Sequence, residues 1–231
     1  TAPTTLEQNA IHTFVIADKA SGNWALRDEI WVRSLGSVNG LVGGKSKTGV
    51  AIGGVTWSLN GALGDGSTGY IDNNFDFSTD ASNFTINDSN FGVFIKTTFT
   101  AHVAVQVPYG ISISSNEVQL FEAAGTSFSY SKDRSIINTN IDSNSLYNNI
   151  FNGSVPKTLK NGIDITDSTS LLTNSLPVGN IYSLARNSGG TATLFGDCEN
   201  AVEEITANTG FDYAANNTNI RQLLLDLGLT L

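Results

Sequence analysis

The chain is poor in the residues that build cross-links, metal cages and charged surfaces. It has one cysteine, Cys198, which cannot close an internal disulfide. Its two histidines, His12 and His102, stand in unrelated contexts, so a Cys/His metal cluster is excluded. Methionine is absent, the initiator included, and a chain that starts at Thr1 reads as a processed product or an excised piece of something longer. Charged residues make up only 14%, well below the usual quarter, and the scarce sign is positive: 12 Lys and Arg against 21 Asp and Glu, a net charge of −9. A sequence pI of about 4.5 argues against nucleic-acid backbones and anionic membranes as partners, because both require clustered cations. No apolar run reaches the length of a membrane-spanning helix, so no membrane insertion is expected, and no signal peptide is visible.

What remains is 40% hydrophobic, enough for a real core, with the polar quota filled by Asn, Ser, Thr and Gly. These residues suit turns and strand faces more than helix interiors. The composition is typical of extracellular or virion-surface β proteins. At 231 residues a single large domain is expected.

Helical patterning is confined to the ends. At the start, Thr4 or Thr5 can cap, with Glu7 or Gln8 completing a capping box. Leu6, Ala10, Ile11, Phe14, Val15 and Ala17 form an apolar stripe, and Ser21-Gly22-Asn23 ends it, with Trp24 packing back on the body. At the other end Asn217 or Thr218 can cap a helix whose stripe is Ile220, Leu223, Leu224 and Leu227, stopped by Gly228. Between them, from about Ile30 to Ile205, short alternating or apolar runs are separated by Gly, Asn, Asp and Ser clusters. Asn161-Gly162, between TLK and IDIT, is a type I′ hairpin turn. About a dozen strands without an interior helix predict an all-β sandwich or barrel with short terminal helices, taken as one domain: 1–25 helical, 26–210 the β body read as a sandwich, 211–231 helical.

Gly64 to Gly69, GDGSTG, matches the dinucleotide-binding pattern G-x-G-x-x-G. That motif needs a helix after it to hold the pyrophosphate. Here YIDNNFDF follows, which alternates as a strand, so the glycines are expected to form a turn. The overlapping Asp72-Asn73-Asn74-Phe75-Asp76 opens like a calcium loop, but Phe77 and Asn83 stand where Gly and Glu are required. A looser Ca²⁺ site could draw only on Asp65, Asp72 or Asp76.

The phrase Ala62-Leu63-Gly64-Asp65-Gly66-Ser67-Thr68-Gly69-Tyr70-Ile71 resembles the glycine-flanked strand of concanavalin A-like and laminin-G-like jelly-roll domains. The hairpin Leu159 to Ile165 and the late strand Ala201-Val202-Glu203-Glu204-Ile205 fit the same pattern. Together with Glu7 to Ile11, the glycine spacing from Trp57 to Tyr70 and the C-terminal helix, the chain resembles bacteriophage and prophage tail or virion proteins of this kind. The resemblance implies a concanavalin A-like jelly-roll sandwich on a virion surface, and supplies no catalytic residues.

Laminarinase-type glycoside hydrolases share that sandwich, and Glu117-Val118-Gln119-Leu120-Phe121-Glu122 resembles their catalytic strand, with Gln119 in place of the central Asp. Without a bulge, Glu117 and Glu122 face apart, whereas retaining hydrolysis needs them together. Adjacent Glu203 and Glu204 also face apart, one expected exposed and one in a polar interaction. Sugar-binding sites use aromatic faces beside Asn, Asp and backbone groups, and the candidate platforms are Trp57, Tyr70, Tyr109, Tyr130, Tyr147 and Tyr182. Trp24, Trp31 and Trp57 are also natural core anchors. The expected function is a non-enzymatic, tail-associated lectin-like module that binds host cell-surface polysaccharide. Its rivals are a purely structural virion protein, a decoration or fibre-head domain contacting other virion subunits, for which a homotrimer would speak, and a glycan-cleaving enzyme.

Overall fold

A computed structural model describes residues 2–99, 105–113, 116–123, 126–130, 134–137, 141–153, 155–170 and 175–231. The strands among them form two sheets. The eight-stranded sheet runs from Ile163–Asp164 through Lys157–Lys160, Ser145–Phe151 and Ser89–Thr97 to Glu199–Thr206. Beyond Glu199–Thr206 two segments share one edge: Gly61–Leu63 pairs with its start, and Arg27–Val32 with the rest. The ten-stranded sheet runs Ser168–Ser170, Arg134–Ile137, Thr126–Tyr130, Asn116–Ala123, Gln106–Ile113, Asn180–Ser183, Tyr70–Asp76, Val50–Ile52. A small hairpin, Arg186–Ser188 with Thr191–Thr193, joins Gln106–Ile113 in parallel.

Strand alternation creates two apolar layers. In Ser89–Thr97, Phe91, Val93 and Ile95 enter a core with Trp31 of the same sheet and Ile71, Phe75, Val118 and Leu120 of the second sheet. Phe94 points the other way, into a cluster with Phe14, Ile220, Leu223 and Leu224. The eight-stranded sheet is therefore covered on both faces, by the second sheet on one and by the terminal helices on the other.

The N-terminal helix Thr5–Ala20 begins with the expected capping box: Thr4 Oγ1 accepts from the Glu7 N–H, and the Thr4 N–H donates to Glu7 Oε2 at 2.5 Å. Its buried face is Ala10, Phe14 and Asp18, while Leu6 is exposed, so the expected stripe shifts by part of a turn to bury a carboxylate. The C-terminal helix spans Tyr213–Asp226, capped by Asp212, which accepts from the Ala215 N–H. It starts before the expected Asn217 or Thr218 because Asp212 is an equally good cap one turn upstream. The buried Ile220, Leu223 and Leu224 and the left-handed Gly228 (φ 92°) are as read from the sequence. So is the Asn161-Gly162 turn, with φ of 53° and 81°. Three short helical turns, Asn23–Leu26, Arg33–Leu35 and Gly36–Asn39, interrupt the β region near its start, where no interior helix was expected.

The largest departure from expectation concerns Glu203 and Glu204. Both are fully buried. They do face apart, but the strand has no solvent side. Glu203 points between the sheets and accepts from Arg33 Nε at 3.0 Å and Nη2 at 2.6 Å; Ser183 donates to the same carboxylate and Arg33 also donates to Asn73. Glu204 points toward the helices and binds Arg27 Nη1 at 2.5 Å. Arg27 also makes a two-armed contact with Asp18 and donates to Asn216, and it lies over the Phe14 and Phe211 rings. Burial by itself lowers the Arg27 pKa, but Glu204 and Asp18 overcome that and the net shift is upward. Gly92 makes room for this, since a Cβ there would lie 2.6 Å from Glu204 Oε1.

Removing one member of a buried pair strands the other charge, at a typical cost of about 3–5 kcal/mol. Arg27→Met is therefore expected to lower unfolding free energy by about that amount, measured by urea denaturation at neutral pH. Asp226→Asn, on the exposed side of the C-terminal helix, should change it by less than about 0.5 kcal/mol. An Arg27→Met loss no larger than the surface control would refute the structural role of the pair.

Candidate functional site

The outer face of the ten-stranded sheet carries a continuous row of residues. Val50 pairs with Asp72, Asp72 with Tyr182, Tyr182 with Gly110, and Gly110 with Gln119. Tyr70 stands beside the row and stacks on Tyr182, ring centroids 4.8 Å apart, with Phe195 6.2 Å from Tyr70. Tyr182 is 5% exposed, so the ring of the pair that keeps open surface is Tyr70, which is half-buried. Burial pushes the Tyr182 phenol up to about 12, with Asp72 and Tyr70 adding to the shift.

The small hairpin rises next to this row. Gly189 and Gly190, with φ of 63° and 90°, make its two-residue turn, the geometry that favours glycine. Asn187 fixes the turn: its Oδ1 accepts from the Gly190 N–H at 2.7 Å and its amide donates to the Asn180 carbonyl at 2.6 Å. A depression of about 430 Å³ lies there, lined by Ile113, Val178, Asn180, Tyr182, Asn187 and the two glycines. Its lining thus combines one aromatic ring, two aliphatic side chains, two amides and glycine backbone.

Both ends of the segment that carries the hairpin are strained. Leu184 and Leu194 adopt φ of 62° and 53°, a region bulky side chains avoid at a cost of roughly 1–3 kcal/mol each. The strand Gln106–Ile113 holds both: the Leu184 N–H donates to the Pro108 carbonyl at 2.7 Å, and the Val107 N–H donates to the Leu194 carbonyl at 3.0 Å. Those two contacts fall where that strand is bulged, between Gln106 and Tyr109. Nothing in the local sequence marks these leucines, because they are neither glycine nor asparagine.

The other sequence-derived candidates disperse. Tyr109 and Tyr147 are core residues, 0% and 1% exposed. The Tyr147 hydroxyl accepts from the Asp142 N–H, and burial raises both phenols. They are corrections: each falls on the inward parity of its strand and offers no face to a ligand. Trp57 is half-buried against the inter-sheet core, in the other sheet, apart from Tyr70. Tyr130 ends a strand of the outer sheet, but its side chain lies outside the described residues, as does all of His102. His12 is exposed on the N-terminal helix. Cys198 is wholly buried, and burial pushes its thiol well up, so it serves as a small core residue.

Glu117 and Glu122 do not form a catalytic pair. Their strand keeps unbroken register with Thr126–Tyr130, so the alternation holds. Val118, Leu120 and Glu122 point inward, and Glu122 Oε2 accepts from the Ile141 N–H at 2.7 Å. Glu117, Gln119 and Phe121 line a pocket on the outer side.

The three aspartates each serve their own turn. Asp72 Oδ1 accepts from the Asn74 N–H, and Asp76 Oδ1 from Ser78. Asp65 Oδ1 accepts from the N–H groups of Ser67, Thr68 and Gly69 at 2.9, 2.7 and 2.8 Å. Among the described residues no group of three or more His, Cys, Asp or Glu is placed to hold a metal ion. GDGSTG is a turn between the strands Gly61–Leu63 and Tyr70–Asp76. Gly66 is left-handed, and a Cβ at Gly64 would lie 2.0 Å from the Gly196 carbonyl oxygen.

The architecture is a jelly-roll-like β-sandwich with short helices at the N- and C-terminal ends. No family model matches the sequence, and no curated protein matches it. Solved structures do resemble it. Domain 4 of AbnA, a GH43 extracellular arabinanase from Geobacillus stearothermophilus, solved with arabinotriose, aligns at TM-score 0.55 and 14% identity, over 82% of this chain and 97% of that one. The botulinum neurotoxin serotype D binding domain aligns at TM-score 0.54 and 12% identity, over 86% of this chain and 52% of the other. The receptor binding domain of the C/D mosaic serotype aligns at TM-score 0.55 and 12% identity, over 86% and 51%. The chain thus spans about half the length of the neurotoxin domains it matches. At these identities the likeness is one of fold.

The Thr68 hydroxyl and the converging Thr68 and Gly69 N–H groups hold the Asp65 pKa well below the carboxylate range. A depressed carboxylate stabilises the fold fully above its unfolded pKa of about 3.9 and loses that share as pH falls below it. Asp65→Ala is therefore expected to melt lower than the parent at pH 7, with the gap narrowing toward pH 2. A gap independent of pH in thermal melts would show that the carboxylate's charge does not matter.

Proposed function

We propose that this chain is a non-enzymatic, lectin-like module of the concanavalin A-like and laminin-G-like type, and that it binds cell-surface glycan on the outer face of its ten-stranded sheet. The observation that carries this reading is the stacked Tyr70–Tyr182 pair beside the Asn180/Asn187 depression. A pyranose ring presents an apolar face suited to an aromatic ring, and hydroxyls suited to amides and backbone groups. The depression holds these elements on strands and a tight hairpin, so little ordering is needed on binding. The fold likeness to receptor-binding domains and to an arabinanase domain solved with a sugar supports the reading. The opposite-facing Glu117 and Glu122 speak against the glycan-cleaving alternative. The virion setting, with polysaccharide or neighbouring virion subunits as partners, rests on the sequence resemblance alone.

A glycan array probed with the purified chain is expected to give a restricted set of binders. Tyr70→Ala should weaken those about tenfold, roughly 1.4 kcal/mol, with melting temperature retained. Trp57→Ala, in the other sheet, should leave affinity unchanged. An array without binders, on a sample whose melt is cooperative, would overturn the proposal. A stable trimer in sedimentation would then favour the structural virion protein, with the exposed Val50 and Ile52 of the edge strand as the surface to examine.

A further inference from the structure

A second, smaller pocket of about 120 Å³ lies on the outer side of the same sheet, lined by Val105, Glu117, Gln119, Phe121, Arg186 and Leu194. The hairpin that walls the Asn180/Asn187 depression also supplies Arg186, so one element borders both. Three features make this pocket unusual.

Arg186 has spare donors. Its Nε makes one long contact, 3.4 Å, with Thr193 Oγ1. Among the described residues no carboxylate lies within ion-pairing distance of it, although Glu117 lines the same pocket. Glu117 is already engaged, accepting from Ser112 Oγ at 2.8 Å and from Gln119 Nε2 at 3.1 Å. Gln119 is 2% exposed, and its Oε1 has no hydrogen-bond donor. The orientation of that amide is fixed by Glu117, which as a carboxylate can only accept, so the nitrogen faces Glu117 and the oxygen is left over. It is one of six buried side-chain polar atoms without a partner among the described residues, each costly to leave unmet, and its residue lines this pocket. The remaining lining, Val105, Phe121 and Leu194, is apolar, and Leu194 is one of the two strained leucines.

A ligand that fits must donate one hydrogen bond to Gln119, accept one from Arg186, and place an apolar end against Val105, Phe121 and Leu194. An acetamido group does all three. Its N–H meets the orphan oxygen, its carbonyl meets the guanidinium, and its methyl meets the apolar wall. At about 120 Å³ the pocket has room for such an arm beside the larger depression. A hydroxyl in the same place leaves the apolar wall unfilled, and a free ammonium would be opposed by Arg186.

We propose that this pocket is a subsite for the acetamido group of an N-acetylated amino sugar. The inference rests on the glycan-binding reading above and names the sugar class for that face.

The test is an array printed in matched sets, each hexose beside its 2-amino and 2-acetamido counterparts: glucose, galactose and mannose series. The expected result is that the acetamido member of at least one series binds tenfold or more above its hydroxyl and amino counterparts. Arg186→Ala and Gln119→Leu should abolish that preference. Arg186 is half-exposed and lacks an ion pair, so its removal is expected to leave the melting temperature unchanged. Discrimination by the parent protein decides the matter even if the Gln119 variant fails to fold. Equal binding of acetamido and hydroxyl sugars would overturn this subsite and leave the glycan-binding reading intact. Preference for the amino sugar would overturn it too, by showing that Glu117 governs the pocket. A folded sample that binds no sugar would overturn both readings.

Discussion

The fold depends on one strand that has no exposed side. Glu199–Thr206 lies within the eight-stranded sheet, with the second sheet on one face and the helices on the other. Its adjacent glutamates point to opposite layers, and each meets an arginine, one at the start of the paired strand Arg27–Val32 and one in the turn directly after it. Arg27 ties Glu204 to Asp18 of the N-terminal helix and Asn216 of the C-terminal helix. Arg33 ties Glu203 to Asn73 and Ser183 of the second sheet. A slip of one residue in register would send each carboxylate to the wrong layer and part Glu203 and Glu204 from their arginines, leaving Arg33 without a carboxylate. Buried ion pairs add little net stability compared with apolar residues, but they penalise wrong arrangements heavily. In a chain with so few charges, these pairs specify which strand lies against which and on which side the helices dock.

That anchoring reaches the outer face by way of Ser183. The residue accepts from Arg33 and donates to Glu203 on the inside, and its neighbour Tyr182 faces out to stack on Tyr70. One residue further, Leu184 begins the left-handed turn that launches the hairpin. The buried Arg33 network therefore lies directly beneath the aromatic pair. Strain at Leu184 and Leu194 is held by the bulged strand Gln106–Ile113, which is bonded on both sides. Backbone strain of this kind persists where surrounding structure over-determines it, and it concentrates at ligand sites.

Local chemistry was legible in the sequence wherever a short motif carries its own geometry. The capping box at Thr4, the Asn161-Gly162 turn, the C-terminal stripe and the turn nature of GDGSTG all follow from residues within a few positions of one another. The all-β class followed from the spacing of apolar runs, and the choice of a sandwich over a barrel from the family resemblance. The buried charges did not, because their partners are far apart in the chain: Arg27 and Glu204, or Arg33 and Glu203. Read alone, an acidic residue on a strand is expected at the surface, and the hidden helix layer is what removes that surface. The same gap misplaced Tyr109 and Tyr147. Tyrosines beside polar residues suit a sugar platform, but which of them face outward depends on strand order and parity. The row from Val50 to Gln119 crosses five strands, and no periodicity within one strand reveals it.

Where the molecule leaves its polar groups unmatched is informative against this background. Every arm of the Arg27 and Arg33 guanidiniums has a partner, although Trp31 Nε1 beside Arg33 and Asn148 Oδ1 beside Glu204 are buried without one. Arg186 has the same chemistry and none of that company. The contrast within one chain argues that the difference follows from location. The paired arginines lie under both layers, where an open donor would destabilise the fold. Arg186 lies on the outer side of the sheet, beside a glutamine whose oxygen is buried and unmatched and a glutamate that is already occupied. Arg186 with its spare donors and Gln119 with its buried, unpartnered oxygen border one small apolar notch, a setting that suits a group carrying the complementary pair.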